Sequence, residues 1–533
     1  MRYGRARLVL LAALVVASAL VLRAQRRGEF PIILSNLGLP AVDEGLILEE
    51  THAPGTPEAQ RRTAVREVLR DGDGTAAHVR YAPGRVVVKF RDQTNEADRA
   101  SAVQEVVTGG SIDERPSYAN FDIVRIDPGA DVEAIAEALR ARPEVEYAQP
   151  SYRVHALFVP NDPLYATRQW NLPLINMERA WDLQPQAGSA ITVAVLDTGL
   201  AFQNATLIEN IPAFVDDAGT RYPPLGRVTI PYAAATQVVA PGRIVAPHDF
   251  IWDNDQPFDF DGHGTHVSGT IGQLTNDGIG TAGVAFNVKI MPVKVIDSVW
   301  DNLFQFGAGL VPTSATDDVV ARGIRYAADN KANIINMSIG RNGPPNTAPV
   351  IEDAIKYAVG KGVFVAIAGG NGFEDGNLLE VLADIANRVD GAVSVAAVDP
   401  NKQRAFYSTT GPYIEIAAPG GSNRGFPGSS GFVFQQTFDF NFTDTYLFPP
   451  SQYIAPRFDI LGFIGYIGTS MATPHVSGLA AMMMQQGITN PAAIEKALEQ
   501  TAIDLGPSGR DNQFGFGLID ARAALRGTGL AAR

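Results

Sequence analysis

Six apolar runs in the C-terminal two-thirds of the chain constrain the fold most. They are rich in β-branched residues and apolar throughout, as strands buried on both faces of a sheet should be. The runs are ITVAVLD, VKIMPVKVI, ANIINMSIG, GVFVAIAGG, AVSVAAV and YIEIAAPG. Amphipathic segments at residues 317–330 and 350–360 separate some of them. The pattern predicts an α/β domain built on a doubly wound parallel sheet.

A smaller unit is predicted between residues 84 and 156. Strand-like RVVVKF and FDIVRID alternate with helical EADRASAVQEVV and VEAIAEALRARP, and an extended VEYAQPSYRVHAL follows. This order is typical of a small α+β, ferredoxin-like fold. We therefore divide the chain into an N-terminal segment 1–25, a linker 26–82, the small domain 83–157, the α/β domain 158–526 and a tail 527–533.

The N-terminal segment has the pattern of an export signal. Arg2, Arg5 and Arg7 precede an apolar run at residues 8–22, and A-S-A at 17–19 fits a signal-peptidase site. Arginines on both sides of the run fit an uncleaved membrane anchor as well. In both cases we expect a secreted or extracytoplasmic protein, which touches the membrane only if this segment stays uncleaved.

Composition excludes several classes of protein. The 533 residues carry a net charge of -14, so the chain as a whole repels phosphate backbones, and we expect no nucleic-acid partner. The chain has no cysteine, which excludes disulfides, zinc-thiolate sites and a cysteine nucleophile.

Three short segments place a reactive side chain beside glycines. They are VLDTG with Asp197, GHGTHVSGT with His263 and GTSMATPHVSG with Ser470. Asp197 ends a predicted buried strand, where a carboxylate needs a hydrogen-bonded partner, and this edge of the sheet is where α/β folds bind ligands. Ser470 opens a predicted helix, whose N-terminal field favours negative charge on the hydroxyl. Together the three supply the carboxylate, base and nucleophile of acyl transfer.

Each segment alone has a simpler interpretation. A single DTG is often a strand-to-turn junction, His263 with His266 could be half of a metal site, and Ser470 could be a helix N-cap. No H-E-x-x-H motif accompanies the histidines, and we interpret His266 as a packed structural residue. The joint occurrence in the order Asp, His, Ser is far more specific than any one segment.

The three segments resemble those of the subtilisin-like serine proteases, over about residues 160–524. The resemblance implies that Asp197 orients the base, that His263 is general base and acid, and that Ser470 is the nucleophile. It also implies that Asn371, in AGGN after a predicted strand, is the oxyanion-hole amide. Residues 83–157 resemble the family's prodomains. The chain is therefore expected to be a zymogen that acts on polypeptides, with its own prodomain as intramolecular inhibitor and folding template.

The resemblance also places substrate binding in two segments. NMSIG resembles the strand that pairs with an extended substrate, and AGG resembles the opposite wall of the pocket for P1, the residue whose carbonyl is attacked. Both also fit simple buried strands. Their small residues predict a roomy, apolar P1 pocket. The residues assigned are Ser338, Ile339, Gly340, Ala368, Gly369 and Gly370.

Calcium is the expected cofactor, at two sites. Asp249, Asp253 and Asp255 resemble a calcium-binding turn of some thermophilic family members, although the loop here is one residue longer. A second set resembles the family's tight calcium loop. It comprises the carboxylates of Asp162 and Asp277 with the carbonyls of Leu274, Ile279 and Thr281. For both sets the alternative is a solvated acidic loop.

Two long insertions, residues 201–248 and 422–467, separate the three segments. The second is dense in aromatic residues, which fits either a packed inserted hairpin or a lining of the cleft. Two rival functions remain. One is a catalytically inactive subtilisin-fold scaffold, against which the intact Asp197, His263, Ser470 and Asn371 argue. The other is an acidic, sedolisin-type peptidase, which has Glu in place of the histidine.

Overall fold

The computed structural model describes residues 81–113, 115–152, 158–216, 219–306 and 314–527. The N-terminal segment 1–25, the linker up to residue 80 and the tail from residue 528 lie outside this part of the chain. The described residues fall into two compact units, one before Phe158 and one from Phe158 onward. Within these ranges no helix is both long and apolar enough to cross a membrane.

The smaller unit is a four-stranded antiparallel sheet with two helices. Its elements are β1 (Tyr81–Phe90), α1 (Glu96–Val106), β2 (Ser111–Ile112), β3 (Asp122–Arg125), α2 (Val132–Arg140) and β4 (Val145–Tyr152). The strands lie in the order β2-β3-β1-β4. Alternate residues Val86 and Val88 of β1 are buried in one core with Val103 of α1 and Leu139 of α2. The ferredoxin-like fold predicted from the sequence is confirmed.

The larger unit is built on a seven-stranded parallel sheet. Its strands and those of its insertions are β5 (Thr192–Asp197), β6 (Ala205–Ile211), β7 (Phe214–Val215), β8 (Arg221–Tyr222), β9 (Gly226–Tyr232), β10 (His248–Asp249), β11 (Lys289–Lys294), β12 (Ile334–Met337), β13 (Phe364–Ala368), β14 (Ala392–Val398), β15 (Ile416–Pro419), β16 (Val433–Phe438) and β17 (Leu461–Tyr466). The sheet order is β10-β11-β5-β12-β13-β14-β15. Its six longer strands are the six apolar runs, whereas the two-residue β10 was not predicted.

Helices cover both faces of this sheet. The helices of the larger unit and its insertions are α3 (Tyr165–Arg168), α4 (Asn171–Leu174), α5 (Met177–Leu183), α6 (His263–Gly272), α7 (Val299–Phe306), α8 (Asp317–Asp329), α9 (Pro349–Gly360), α10 (Val381–Ala386), α11 (Phe440–Thr443), α12 (Thr469–Gln485), α13 (Pro491–Thr501) and α14 (Ala521–Gly527), with a 3₁₀ turn at Thr445–Leu447. Val193 and Val195 of β5 share a core with α6 and α12. Ala194 and Leu196 share the opposite core with α8 and α9. This alternation confirms the doubly wound sheet.

The order of the strands locates a crevice at one edge of the sheet. Strand β5 has β11 on one side and β12 on the other, so the chain leaves β5 towards one side and later returns to the other. Such a switch point opens a crevice at the carboxyl ends of the strands. Asp197 is the last residue of β5 and lies at this crevice.

The two insertions form one body with an aromatic core. Strands β6 and β9 pair antiparallel, as do β16 and β17. Phe458 of the second insertion exchanges backbone hydrogen bonds with residues 231 and 233 of the first, at 3.0 and 2.9 Å. Tyr232 packs on Phe438 and Phe458, and Tyr453 packs edge-on against Phe214. Packing, rather than cleft lining, accounts for these rings.

Candidate active site

The pair of Asp197 and His263 is the centre of the crevice. Asp197 is fully buried, and its Oδ1 lies 2.6 Å from Nδ1 of His263. The backbone N–H of Thr198 donates to the same oxygen at 2.8 Å. His263 begins α6, so the imidazole is held on a rigid element. A carboxylate at Nδ1 fixes the ring and its tautomer, the arrangement in which a histidine Nε2 serves as a base.

Asp259 is a further residue of this site that the sequence did not single out. Its carboxylate is fully buried and accepts hydrogen bonds from Thr198 Oγ1, Gly262 N and Thr265 N at 3.0, 2.8 and 2.9 Å. Thr198 Oγ1 in turn accepts from Gly264 N. Asp259 therefore joins the residue after Asp197 to the turn that carries His263. The acidic stretch before His263 did not show that Asp259 is buried.

Ser470 lies in the first turn of α12. The helix N-cap is Gly468, with φ 155° and ψ 161°, a conformation that only glycine adopts readily. Ser470 is therefore not the N-cap, which was its simpler interpretation. Its Oγ donates a hydrogen bond to the carbonyl of Ser338 at 3.2 Å. Helices α6 and α12 pack on each other, so both reactive side chains lie near the N-termini of neighbouring helices.

Pro474 lies in the second turn of α12. A proline has no N–H, so the carbonyl four residues earlier, that of Ser470, lacks its helical donor. The hydroxyl of Ser338 donates to that carbonyl at 2.9 Å. Ser338 and Ser470 therefore exchange two hydrogen bonds, which link the predicted substrate strand to the predicted nucleophile.

Asn371 and the backbone of Ser470 face a common point. The Asn371 Oδ1 accepts from the N–H and the hydroxyl of Thr469, both at 2.9 Å, so Nδ2 is left to point away. A methyl group built on Gly468 would lie 3.5 Å from this Nδ2, 3.5 Å from Ser470 N and 3.7 Å from Ser470 Cβ. Two N–H donors beside the hydroxyl-bearing carbon are what an oxyanion hole requires.

The two predicted substrate segments follow neighbouring strands. Residues 338–340 come directly after β12, and residues 368–370 begin at the last residue of β13. These strands pair in parallel, with Met337 opposite Ile367. The two segments therefore leave the sheet side by side at the edge where Asp197 lies, and Ser338 is bonded to Ser470.

The comparisons with known proteins identify the family. The model of the subtilase family matches residues 188–517, more than half of the chain. This chain is a subtilase. The model of the fervidolysin N-terminal prodomain matches residues 70–151. The subtilase is thus a serine endopeptidase with a prodomain.

Individual relatives of the subtilase are similar over most of its length. A thermophilic serine proteinase of Bacillus sp. (strain AK1) is 30% identical over 450 residues, which cover 84% of this chain and 88% of the relative. Thermitase of Thermoactinomyces vulgaris is 28% identical over 369 residues, 69% of this chain and 100% of thermitase. The crystal structure of fervidolysin from Fervidobacterium pennivorans is 24% identical with a TM-score of 0.48, and covers 85% of this chain and 62% of that one.

The three carboxylates of the first predicted calcium set of the subtilase do not form a cluster. Asp249 closes a turn by accepting from Ile251 N and Trp252 N at 2.7 and 2.9 Å. Asp255 is exposed and pairs with His248 at 3.1 Å, and Asp253 lies in the turn between them. Each carboxylate thus has its own environment. In the described ranges, one group of three acidic or histidine side chains has ligand atoms within 4.8 Å of one another, formed by Glu415, Glu495 and Glu499.

The two carboxyl groups of the second predicted set lie next to each other. Asp162 is buried and accepts from Asn276 N and Asp277 N at 2.7 and 3.3 Å. Burial, together with the neighbouring carboxyl of Asp277, raises the pKa of Asp162 to about 7. Two carboxyl groups this close, one of them buried, fit a shared divalent cation. The other members lie in the same loop, where Ile279 N donates to Asp277.

One carbonyl member of this set is already hydrogen-bonded, because Thr281 O accepts from Gln273 Nε2 at 2.9 Å. The carbonyl of Thr281 would have to share its oxygen with the cation. The carboxylate pair is therefore the stronger part of the set.

The second histidine of the GHGTH segment is structural, as expected. His266 is fully buried, its ring stacks on Tyr466 with centroids 4.4 Å apart, and Nε2 lies 3.1 Å from the carbonyls of Val433 and Ile464. Burial lowers the pKa of His266 to about 3. A neutral ring held in this way packs the second insertion against α6.

Proposed function

We propose that this subtilase is an exported serine endopeptidase that hydrolyses peptide bonds through Asp197, His263 and Ser470 and is made as a self-processed zymogen. The observation that carries the proposal is the 2.6 Å contact of His263 with the buried Asp197. Ser470 and the amide of Asn371 lie at the same carboxyl edge of the sheet. No comparable support exists for an inactive scaffold.

In the proposed reaction His263 acts first as base. Its Nδ1–H keeps donating a hydrogen bond to the Asp197 carboxylate while Nε2 takes the hydroxyl proton of Ser470, and Oγ forms a bond to the substrate carbonyl carbon. For this step the hydroxyl must exchange its present acceptor, the Ser338 carbonyl, for Nε2 of His263. Asn371 Nδ2 and Ser470 N then donate to the oxyanion of the tetrahedral intermediate.

The intermediate collapses when His263 returns its proton to the leaving amine. The C–N bond breaks and an acyl group remains on Ser470. Water then attacks the ester in the same way, with His263 again as base and acid. The new carboxylic acid leaves, and Ser470 regains its proton.

Export, the prodomain and calcium complete the proposal. The N-terminal segment directs export, as signal or as anchor, and residues 83–157 act as inhibitor and folding template, with the family match at 70–151 in support. Asp162 and Asp277 would hold a calcium ion, with the carbonyls of Leu274, Ile279 and Thr281. The ion supplies a structural cross-link between the start of the large domain and a later loop.

A labelling experiment on the full chain tests the proposal. The parent should react with a fluorophosphonate probe, hydrolyse a denatured protein, and begin, by N-terminal sequencing, between about residues 151 and 161. Ser470→Ala should do none of these and should keep its prodomain. Ser430→Ala, an exposed serine, should match the parent. An active Ser470→Ala enzyme would overturn the mechanism, and an active parent that still begins near residue 25 would overturn the processing.

A further inference from the structure

Glu380 places a carboxylate between the two predicted substrate segments. It precedes α10, ten residues beyond Gly370, and is 5% exposed. A methyl group built on Gly340 would lie 2.7 Å from Glu380 Oε2, and one built on Gly370 would lie 2.6 Å from Oε1. Each carboxylate oxygen thus reaches one of the two glycines. The carboxyl group of Glu380 lies where the bottom of the P1 pocket is expected.

This carboxylate lacks the partner that its burial calls for. Its Oε2 is buried and accepts no hydrogen bond from the described residues. The guanidinium of the neighbouring Arg341 is bonded elsewhere, to Asp317 at 3.0 Å. Burial raises the pKa of Glu380 to about 7, partly offset by a backbone hydrogen bond from Arg341. A buried acid without a cation costs stability, so its presence favours a partner that arrives from outside.

We propose that Glu380 is a specificity-determining residue that selects lysine or arginine at P1. The proposal rests on the proposed function. A long cationic side chain entering between the two segments would bring its charge to the unpaired Oε2 and would itself be desolvated there, which makes the pairing strong. An acidic P1 side chain would be repelled, and a neutral one would leave the carboxylate unpaired.

The inference corrects the expectation of an apolar P1 pocket. Gly340 and Gly370 do signal free space in the sequence, because neither carries a side chain. The residue that fills part of this space comes from a separate segment, after the loop that follows Asn371. No periodicity in the sequence shows that this loop returns Glu380 to the pocket.

A series of peptide p-nitroanilides that differ only at P1 tests the proposal. The P1 residues are lysine, arginine, glutamate and norleucine, which has the lysine chain without its ammonium group. In the parent, kcat/KM for lysine should exceed that for norleucine by about 30-fold or more. In Glu380→Gln the ratio should fall to about one or below. Asp353→Asn, a change of the same charge at an exposed position of α9, should keep the parent's ratio.

The same ratio should depend on pH. Ionised Glu380 is needed for the preference, so the lysine to norleucine ratio should rise between pH 5.5 and 8.5. Taking the ratio cancels every effect of pH that the two substrates share. The other groups close to Glu380 are Arg341, Asp384 and Tyr413, and burial raises the pKa of that phenol, which stays neutral in this range.

The outcomes separate the inference from the proposed function. A parent that hydrolyses norleucine as well as lysine overturns the role of Glu380 and leaves the endopeptidase intact. A parent that hydrolyses no substrate and takes no fluorophosphonate overturns both. If Glu380→Gln does not fold, the ratio in the parent and its pH dependence still decide.

Discussion

The two hydrogen bonds between Ser338 and Ser470 lead to a prediction about stability. Because Pro474 provides no N–H, the hydroxyl of Ser338 is the donor that satisfies the Ser470 carbonyl, at 2.9 Å. Ser338→Ala should leave this partly buried carbonyl without a donor and lower the free energy of unfolding by about 1–2 kcal/mol. In Pro474→Ala the new backbone N–H can donate instead. There Ser338→Ala should cost about 1 kcal/mol less, because the loss that remains is mainly the hydrogen bond that its hydroxyl accepts from Asn336 Nδ2 at 3.0 Å.

A double-mutant cycle measures the difference. All proteins carry Ser470→Ala, which prevents self-digestion and keeps the carbonyl of residue 470. Urea unfolding can be followed by the fluorescence of the four tryptophans, at positions 170, 181, 252 and 300 in the large unit. The coupling energy should be about 1 kcal/mol, above the 0.3–0.5 kcal/mol within which independent changes add. Ser408→Ala removes a buried hydroxyl that accepts from Ala397 N, and it should add independently to Pro474→Ala. Equal costs of Ser338→Ala in both backgrounds would refute the reasoning.

Three further predictions concern the metal, the oxyanion and pH. EDTA should lower the melting temperature of the parent and of Asp255→Asn but not of Asp277→Asn, which lacks a ligand of the proposed site. A cation at 100 times its Kd raises the free energy of unfolding by about 2.7 kcal/mol. Equal responses in all three proteins would contradict the second calcium set. Asn371→Ala should lower kcat by about 10² to 10³ with KM little changed, which is the range known for the oxyanion-hole asparagine of subtilisin; a rise in KM with kcat unchanged would contradict its role. Burial raises the pKa of Glu415 to about 8 and of Glu495 to about 7. The stability that these protonated groups contribute is therefore complete below about pH 4.5, where the unfolded chain is protonated too, and is lost as the pH rises to 8. The double change to glutamine should flatten the melting temperature between pH 5 and 8, and an unchanged profile would show that these groups are not responsible.

The sequence predicted the long strands, which have a periodic or continuous apolar pattern, and it missed features that depend on the conformation of loops. Continuous apolar runs report burial on both faces, which is why all six long strands were found, while the two-residue β10 is too short to leave such a signal. Aspartates close in sequence suggested a calcium site at Asp249, Asp253 and Asp255. The chain instead turns Asp249 to the N–H groups of Ile251 and Trp252, and Asp255 to His248.

The same limit applies to the candidate site. The residues that the resemblance named lie at strand ends and helix starts, where the fold itself fixes their positions. Asp259 and Glu380 act through backbone turns that bring distant groups together, Thr198 in one case and Gly340 in the other. The spacing of residues along the chain does not indicate these contacts, so only the three-dimensional structure shows them.

The aromatic body formed by the two insertions has a consequence for inheritance. Neither insertion has a complete core of its own, since Tyr232 of the first is covered by Phe438 and Phe458 of the second. The second also donates from Thr437 Oγ1 to the carbonyl of Gly262, directly before the histidine. The pair behaves as a single interleaved module, which can be gained, lost or transplanted into a relative only as a whole. A protein with only one of the two insertions would expose aromatic side chains to solvent. Without the second insertion it would also lose the hydrogen bond from Thr437 that supports the turn before His263.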